Sequence, residues 1–182
     1  MTQKKNNITL IGMPGAGKST VGVVLAKMLG FHFLDSDLLI QEQTGRLLHE
    51  LIREHGDAQF LEIENRVNAG ITVSRTVIAT GGSAVYGAQA MAHLREISAV
   101  VYLKLPEECL EERLGDLRER GVVMGAGKTL RDLMDVREPL YEKYADVTMD
   151  VGQADIREVA QSIASWVNGD GAQLHIGSRR EV

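Results

Sequence analysis

Residues 12–19 read Gly12-Met13-Pro14-Gly15-Ala16-Gly17-Lys18-Ser19: glycine, four residues, glycine, lysine, serine. No other stretch restricts the fold as much, because this spacing carries meaning only between a buried strand and the start of a helix. Both are predicted here. Residues 8–11 form a short apolar run rich in β-branched side chains, and residues 19–29 place Val21, Val24, Leu25 and Met28 at helical spacing. Glycines in such a turn let successive backbone N–H groups close around a phosphate, and the helix N-terminus adds partial positive charge. Gly12, Gly15, Ala16, Gly17 and Thr20 are therefore the candidate nucleotide cradle. Lys18 would bridge the terminal phosphates and Ser19 would offer a hydroxyl to magnesium, so ATP and Mg2+ are the implied cofactors. The alternative is an incidental glycine-rich turn, which would have to meet both spacing and context by chance.

Alternating apolar and amphipathic segments follow. Phe33-Leu34 is a brief apolar pair, two short helices are expected over 38–43 and 47–55, and a longer one over 60–71 with Phe60, Ile63, Val67 and Ile71 on its apolar face. Residues 75–80 and 99–105 read as buried strands, the first ending at Gly81-Gly82 and the second at Pro106. A helix is expected over 88–95. Pro106 with Glu107 and Glu108 suits a helix start, and that helix reaches about residue 114. Residues 129–144 are helical with a break expected near Pro139, 147–151 form a late strand, and 156–167 an amphipathic helix. Alternation of this kind implies an α/β chain with a parallel sheet of about five strands, helices on both faces and ligands at the strands' C-terminal ends. One domain is expected over 1–168. Residues 115–128, with four glycines, Arg118, Arg120 and Lys128, read as a mobile lid, and 169–182 as a flexible tail.

Composition narrows the partners. Twenty Lys and Arg stand against 25 Asp and Glu, and there are only eight aromatic residues, which disfavours a broad nucleic-acid surface. No segment approaches the ~20 apolar residues that span a bilayer, so no membrane partner is expected. Cys109 is the sole cysteine, which excludes an intramolecular disulfide and points to a cytoplasmic setting. The five histidines lack metal-ligand spacing. A monomer or weak dimer acting on a small molecule is the expectation.

Several residues could carry chemistry beside the glycine-rich loop. Asp35-Ser36-Asp37 follows the second strand, where Asp37 could accept the proton of an attacking hydroxyl and Asp35 could help hold magnesium. Asp37 would equally suit a helix N-cap. Gly81-Gly82-Ser83 leaves the third strand and would bring backbone close to substrate, or would be a plain left-handed turn. Arg113, Arg118, Arg120 and Arg137 are the local basic set an acidic chain needs around a nucleotide, though each alone could be a solvated charge. Gly125-Ala126-Gly127-Lys128-Thr129 mimics the end of the first motif, but its leading position is Val122 and no strand precedes it, so it reads as a lid hinge.

Taken together, the chain resembles the shikimate kinase family, small P-loop phosphotransferases of the nucleoside monophosphate kinase type, over about residues 8–167. The resemblance rests on residues 12–22, on Phe33-Leu34-Asp35-Ser36-Asp37, on Thr44-Gly45-Arg46, on Phe60 with Glu64, on Gly81-Gly82 and on Arg137-Glu138-Pro139-Leu140-Tyr141. It implies a three-layer P-loop kinase fold whose lid closes over ATP, with Arg120 on the phosphates and Arg113 stacking on adenine. It also implies that Asp37 meets the reacting hydroxyl and Arg137 a carboxylate. Lys18, Asp37 and Arg120 are then the catalytic set.

Three positions depart from the family pattern. Leu61 stands where an arginine normally helps clamp the acceptor carboxylate, a charge-assisted contact worth about 1.5–3 kcal/mol. Ser83 replaces the third glycine of the acceptor turn, and Gly121 follows Arg120 where proline is usual. The resemblance therefore implies ATP-dependent phosphorylation of an alcohol on a small hydroxylated carboxylic acid, with Leu61, Gly81, Gly82, Ser83 and Arg137 around the acceptor. Homoserine is an alternative acceptor, its carboxylate on Arg137 and its amine on Ser83, with Leu61 closing a smaller pocket. A nucleotide-binding protein without catalysis is a further alternative, and a nucleoside monophosphate kinase is disfavoured because residues 47–71 supply few arginines.

Overall fold

In the computed structural model, which describes residues 5–114, 128–152 and 154–169, five parallel strands form one sheet in the order β2-β3-β1-β4-β5. These are β1 (Asn7–Ile11), β2 (His32–Asp35), β3 (Thr76–Ala79), β4 (Ser98–Lys104) and β5 (Val147–Asp150). All four pairings are parallel. β1 is buried along its whole length, as a central parallel strand covered on both faces must be.

Helices α1 (Lys18–Leu29), α2 (Ser36–Thr44), α3 (Leu48–Ala69), α4 (Ala88–Ile97), α5 (Glu107–Leu114), α6 (Leu130–Tyr144) and α7 (Ile156–Asn168) alternate with the strands. Neighbouring β1 residues show which face each helix covers, since side chains alternate along a strand. Leu10 faces α1, where a Cβ on Gly22 would lie 2.6 Å from the Phe33 ring and 3.4 Å from Leu10. Thr9 faces α4, sharing a 2.6 Å hydrogen bond with Ser98, whose hydroxyl also reaches Leu94 O. The expected three-layer α/β sandwich is what forms. Asn7 fastens its lower edge: its amide donates to Val73 O and Ile97 O, and its Oδ1 accepts from Thr76 N.

The helices expected over 47–55 and 60–71 both form: α3 is two helical segments that meet at Gly56, whose φ of 77° and ψ of 168° are not helical and which only glycine adopts cheaply. One segment differs from the sequence expectation. α6 passes through Pro139 without ending, because Leu133, Met134, Arg137 and Tyr141 bury one continuous face that outweighs the lost backbone hydrogen bond. The expected lid, apart from Lys128, and the tail from residue 170 lie outside the described residues, as do Arg118, Arg120 and Gly121.

Candidate functional site

β1 runs into the glycine-rich loop, and the loop's shape explains its glycines. Gly12 has φ 146°, and a Cβ there would sit 2.6 Å from Leu103 O in β4; Gly15 and Gly17 are left-handed at φ 82° and 87°. Gly17 caps α1 with its backbone alone, leaving the first amides of that helix pointed at the loop's interior. Lys18 is buried and curls back, its Nζ donating to Gly12 O at 2.8 Å and Met13 O at 2.9 Å. Burial lowers its pKa to about 8, Asp37 opposing the shift and Arg137 adding to it. An anion in the loop would restore the favoured charged state.

At the end of β2, one carboxylate links two elements. Asp35 Oδ2 accepts from the Ser19 hydroxyl at 2.6 Å, while Oδ1 caps α2 by accepting from Asp37 N at 3.0 Å. The cap is thus Asp35, and Asp37 in the first turn is left to face the pocket. A hydroxyl and a carboxylate oxygen are hard donors that fit Mg2+, an ion that takes few protein ligands and keeps phosphate and water oxygens for the rest. Ser19 and Asp35 could hold it.

The opposite wall gathers Asp37, Glu64, Gly81, Gly82, Ser83 and Arg137, all lining one cavity of about 490 Å³ that is also lined by residues 14–20 of the glycine-rich loop and α1, whereas Gly12 lies outside the lining. Gly81 and Gly82 have ordinary φ, so their role is space rather than turn geometry. A Cβ on Gly81 would lie 2.5 Å from Glu64 Oε1 and 2.7 Å from Asp37 Oδ1; one on Gly82 would lie 2.6 Å from Pro14 and 3.1 Å from Arg137 Nη1. Arg137 is 1% exposed, stacks over the Tyr86 ring at 5.3 Å and donates from Nε to its hydroxyl at 3.2 Å. Burial, with the Asp35 charge, raises Asp37 to about 6 against the pull of Lys18. Glu64 is raised to about 7, again by burial, against the Ser83 hydrogen bond.

A family profile described as shikimate kinase matches residues 14–168. The chain belongs to the shikimate kinase family. A shikimate kinase from Methylococcus capsulatus is 35% identical over 175 residues, 94% of this chain and 98% of that protein. A solved shikimate kinase from Acinetobacter baumannii, in complex with shikimate, superposes with a TM-score of 0.83 at 35% identity, covering 90% of this chain and 93% of that one. The Aquifex aeolicus shikimate kinase superposes at 0.76 with 28% identity, covering 90% and 97%. As a member, this chain is a small-molecule kinase that uses ATP with Mg2+ to phosphorylate an alcohol group of a small hydroxylated carboxylic acid. None of the helices among the described residues is long and apolar enough to cross a membrane.

Within this shikimate kinase framework, two expected positions sit differently. Leu61 lies outside the cavity lining and packs against the small cluster of Ile40, Leu51, Phe60 and Val67. Ser83 is committed: its hydroxyl donates to Glu64 Oε2 at 2.6 Å. Arg113, at the end of α5, reaches Gly15 O at 3.4 Å and lines the nucleotide side of the cavity.

Sequence reasoning missed part of the lining. Val151, Ile156 and Val159 border the cavity, and Tyr86 and Tyr141 hold the Arg137 side in place. Glu64, quoted only for the resemblance, is a buried wall residue. Its signal was available: Phe60, Glu64 and Val67 share a helical face, so Glu64 is a carboxylate on an apolar stripe.

Proposed function

We propose that the acceptor is shikimate, that Arg137 receives its carboxylate and that Asp37 orients and deprotonates the reacting hydroxyl. The observation that carries this reading is the placement of Asp37 and Arg137 around one cavity that also holds Lys18. The hydroxyl oxygen forms a bond to the γ-phosphorus, the bond to the β,γ-bridging oxygen breaks, and the proton passes to Asp37. Lys18 neutralises charge on the transferred group, and Gly81 and Gly82 let the acceptor approach the backbone, which makes catalysis chiefly positioning and electrostatics. Arg113 would stack on the base, Ser19 and Asp35 would hold the Mg2+ that offsets phosphate charge, and Arg120, which lies outside the described residues, is assigned to the phosphates by the family resemblance. The name of the relatives' substrate supports the acceptor. A cytoplasmic monomer or weak dimer completes the reading, with the lone Cys109 supporting the compartment.

The test is release of ADP from Mg-ATP on adding shikimate, with the phosphorylated product followed by 31P NMR and Asp37→Asn as blank. Shikimate-independent ADP release, or equal turnover by the variant, would sink it.

A further inference from the structure

Glu64 is buried with one carboxylate oxygen unpaired, and the Ser83 hydrogen bond and the more distant charges of Arg137 and Lys18 oppose the cost of ionising it. One carboxylate oxygen, Oε2, accepts from Ser83, whereas Oε1 has no hydrogen-bond partner among the described residues although Glu64 is 1% exposed. A buried acceptor left unpaired costs about 1–3 kcal/mol, more if charged, so such an atom at a binding wall marks what the ligand must bring. The orphan oxygen lies beside the reacting centre. Oε1 and Asp37 Oδ1 crowd the same point over Gly81, and Arg137 Nη1 stands over the adjoining Gly82.

Residue 61 deepens this. Positions 61 and 64 are i and i+3 on α3, so the arginine usual in the family would neighbour Glu64 on its helix. Leu61 supplies no such cation. A carboxylate, a base and a guanidinium thus frame the acceptor space; an acceptor bearing only hydroxyls and a carboxylate can offer Glu64 a neutral O–H donor, as Ser83 does, whereas an ammonium offers a charge-assisted one.

We infer that this pocket also phosphorylates an open-chain hydroxy α-amino acid, with its ammonium on Glu64, its carboxylate on Arg137 and its terminal hydroxyl at Asp37. Homoserine has this set of groups. The amine partner expected on Ser83 falls instead to Glu64, because the serine hydroxyl is already donated to it. Glu64 is a specificity-determining residue in this scheme, and the reaction is otherwise the one above: the alcohol oxygen bonds to the γ-phosphorus, ADP leaves and Asp37 takes the proton. An ammonium in place would also draw the Glu64 pKa down from about 7 toward ionisation. The inference rests on the proposed placement of Asp37 and Arg137.

The full chain is assayed with Mg-ATP against L-homoserine, 4-hydroxybutyrate, which has the same hydroxyl and carboxylate but no amine, and shikimate, with products identified by 31P NMR. Homoserine is expected to exceed 4-hydroxybutyrate in kcat/KM by about tenfold or more, the value of one charge-assisted hydrogen bond. In Glu64→Gln that ratio should collapse toward unity, and in Leu61→Arg homoserine should lose to shikimate. Homoserine inert while shikimate reacts overturns this inference alone, as does equal use of homoserine and 4-hydroxybutyrate by the unmodified enzyme. Failure of all three acceptors, with ATP still bound, overturns the proposed function as well.

Discussion

Tyr141 donates its hydroxyl to Gly82 O at 2.6 Å, fastening the helix that carries Arg137 to the turn that faces it. The ring is fully buried, stacks on Tyr102 at 5.0 Å and sets its oxygen 3.8 Å from Met13 Sδ in the glycine-rich loop. Arg137 and Tyr141 are i and i+4 on α6, so one helical face supplies both the guanidinium and its anchor. Tyr141→Phe keeps the stack and strands the Gly82 carbonyl, costing about 1–3 kcal/mol of stability. Urea melts should show that loss, and steady-state kinetics a severalfold rise in acceptor KM with ATP KM little moved. Equal rises in both would mean that the tyrosine supports the fold without positioning the acceptor turn.

Asp37 sets a pH limb. Burial and the Asp35 charge hold its pKa near 6, and a base works only when ionised. Activity should therefore fall about tenfold per unit as pH drops well below 6. Asp37→Asn should lose about 10²–10⁴ in kcat and the limb with it, while ATP binding by calorimetry stays close to that of the unmodified enzyme. A variant that retains both rate and limb would transfer the base role elsewhere.

What was legible in the sequence was whatever local spacing dictates. Strand, glycine-rich turn and helix around residues 7–29 follow from backbone chemistry, and the pair Asp35 and Asp37 from their place after β2. Division of labour between that pair was less so: which aspartate caps depends on where α2 begins, and it begins at Ser36, leaving Asp35 as the cap. The break between the helices expected over 47–55 and 60–71 falls at Gly56, and the segments on either side bury Leu51 and Phe60 in one cluster. Glu64 escaped because the apolar face was drawn through Ile63, whereas the residues buried after Gly56 are Phe60, Glu64, Val67 and Asn68. Val151, Ile156 and Val159 carry no polar signal, and only the assembled sheet brings them to the cavity.

Buried Glu64 and half-buried Asp37 make stability depend on pH in a direction opposite to ordinary surface acids. Asp37 and Glu64 are raised in the folded state, from 3.8 to about 6 and from 4.5 to about 7, so between about pH 4 and 7 the folded chain holds more protons than the unfolded one. Their contribution is fully present below the unfolded values and is lost as pH rises through the folded ones. Glu64→Gln keeps an oxygen for Ser83 and removes the ionisation, and should stabilise the protein at pH 8 on the order of 1–3 kcal/mol, with little effect at pH 5. Guanidinium denaturation at the two pH values checks this. The same increment at both would show that charge burial is not the cause.

Gly12 and Gly30 separate steric closeness from backbone preference. Both have positive φ, 146° and 64°, but an added Cβ meets Leu103 O at 2.6 Å at Gly12 and nothing within 4 Å at Gly30, the C-cap of α1. Gly30→Ala should cost about 1–2 kcal/mol through left-handed strain alone and leave kcat and both KM values unchanged. Gly12→Ala adds a collision with the backbone of β4, which cannot move without shifting the sheet, so the loop must give way instead. Its ATP KM should rise about tenfold or more, as expected when phosphate-binding amides are displaced from ideal geometry. If thermal melts show equal losses for the two and ATP KM is unmoved in both, the close approach of Gly12 to Leu103 does not shape the nucleotide cradle.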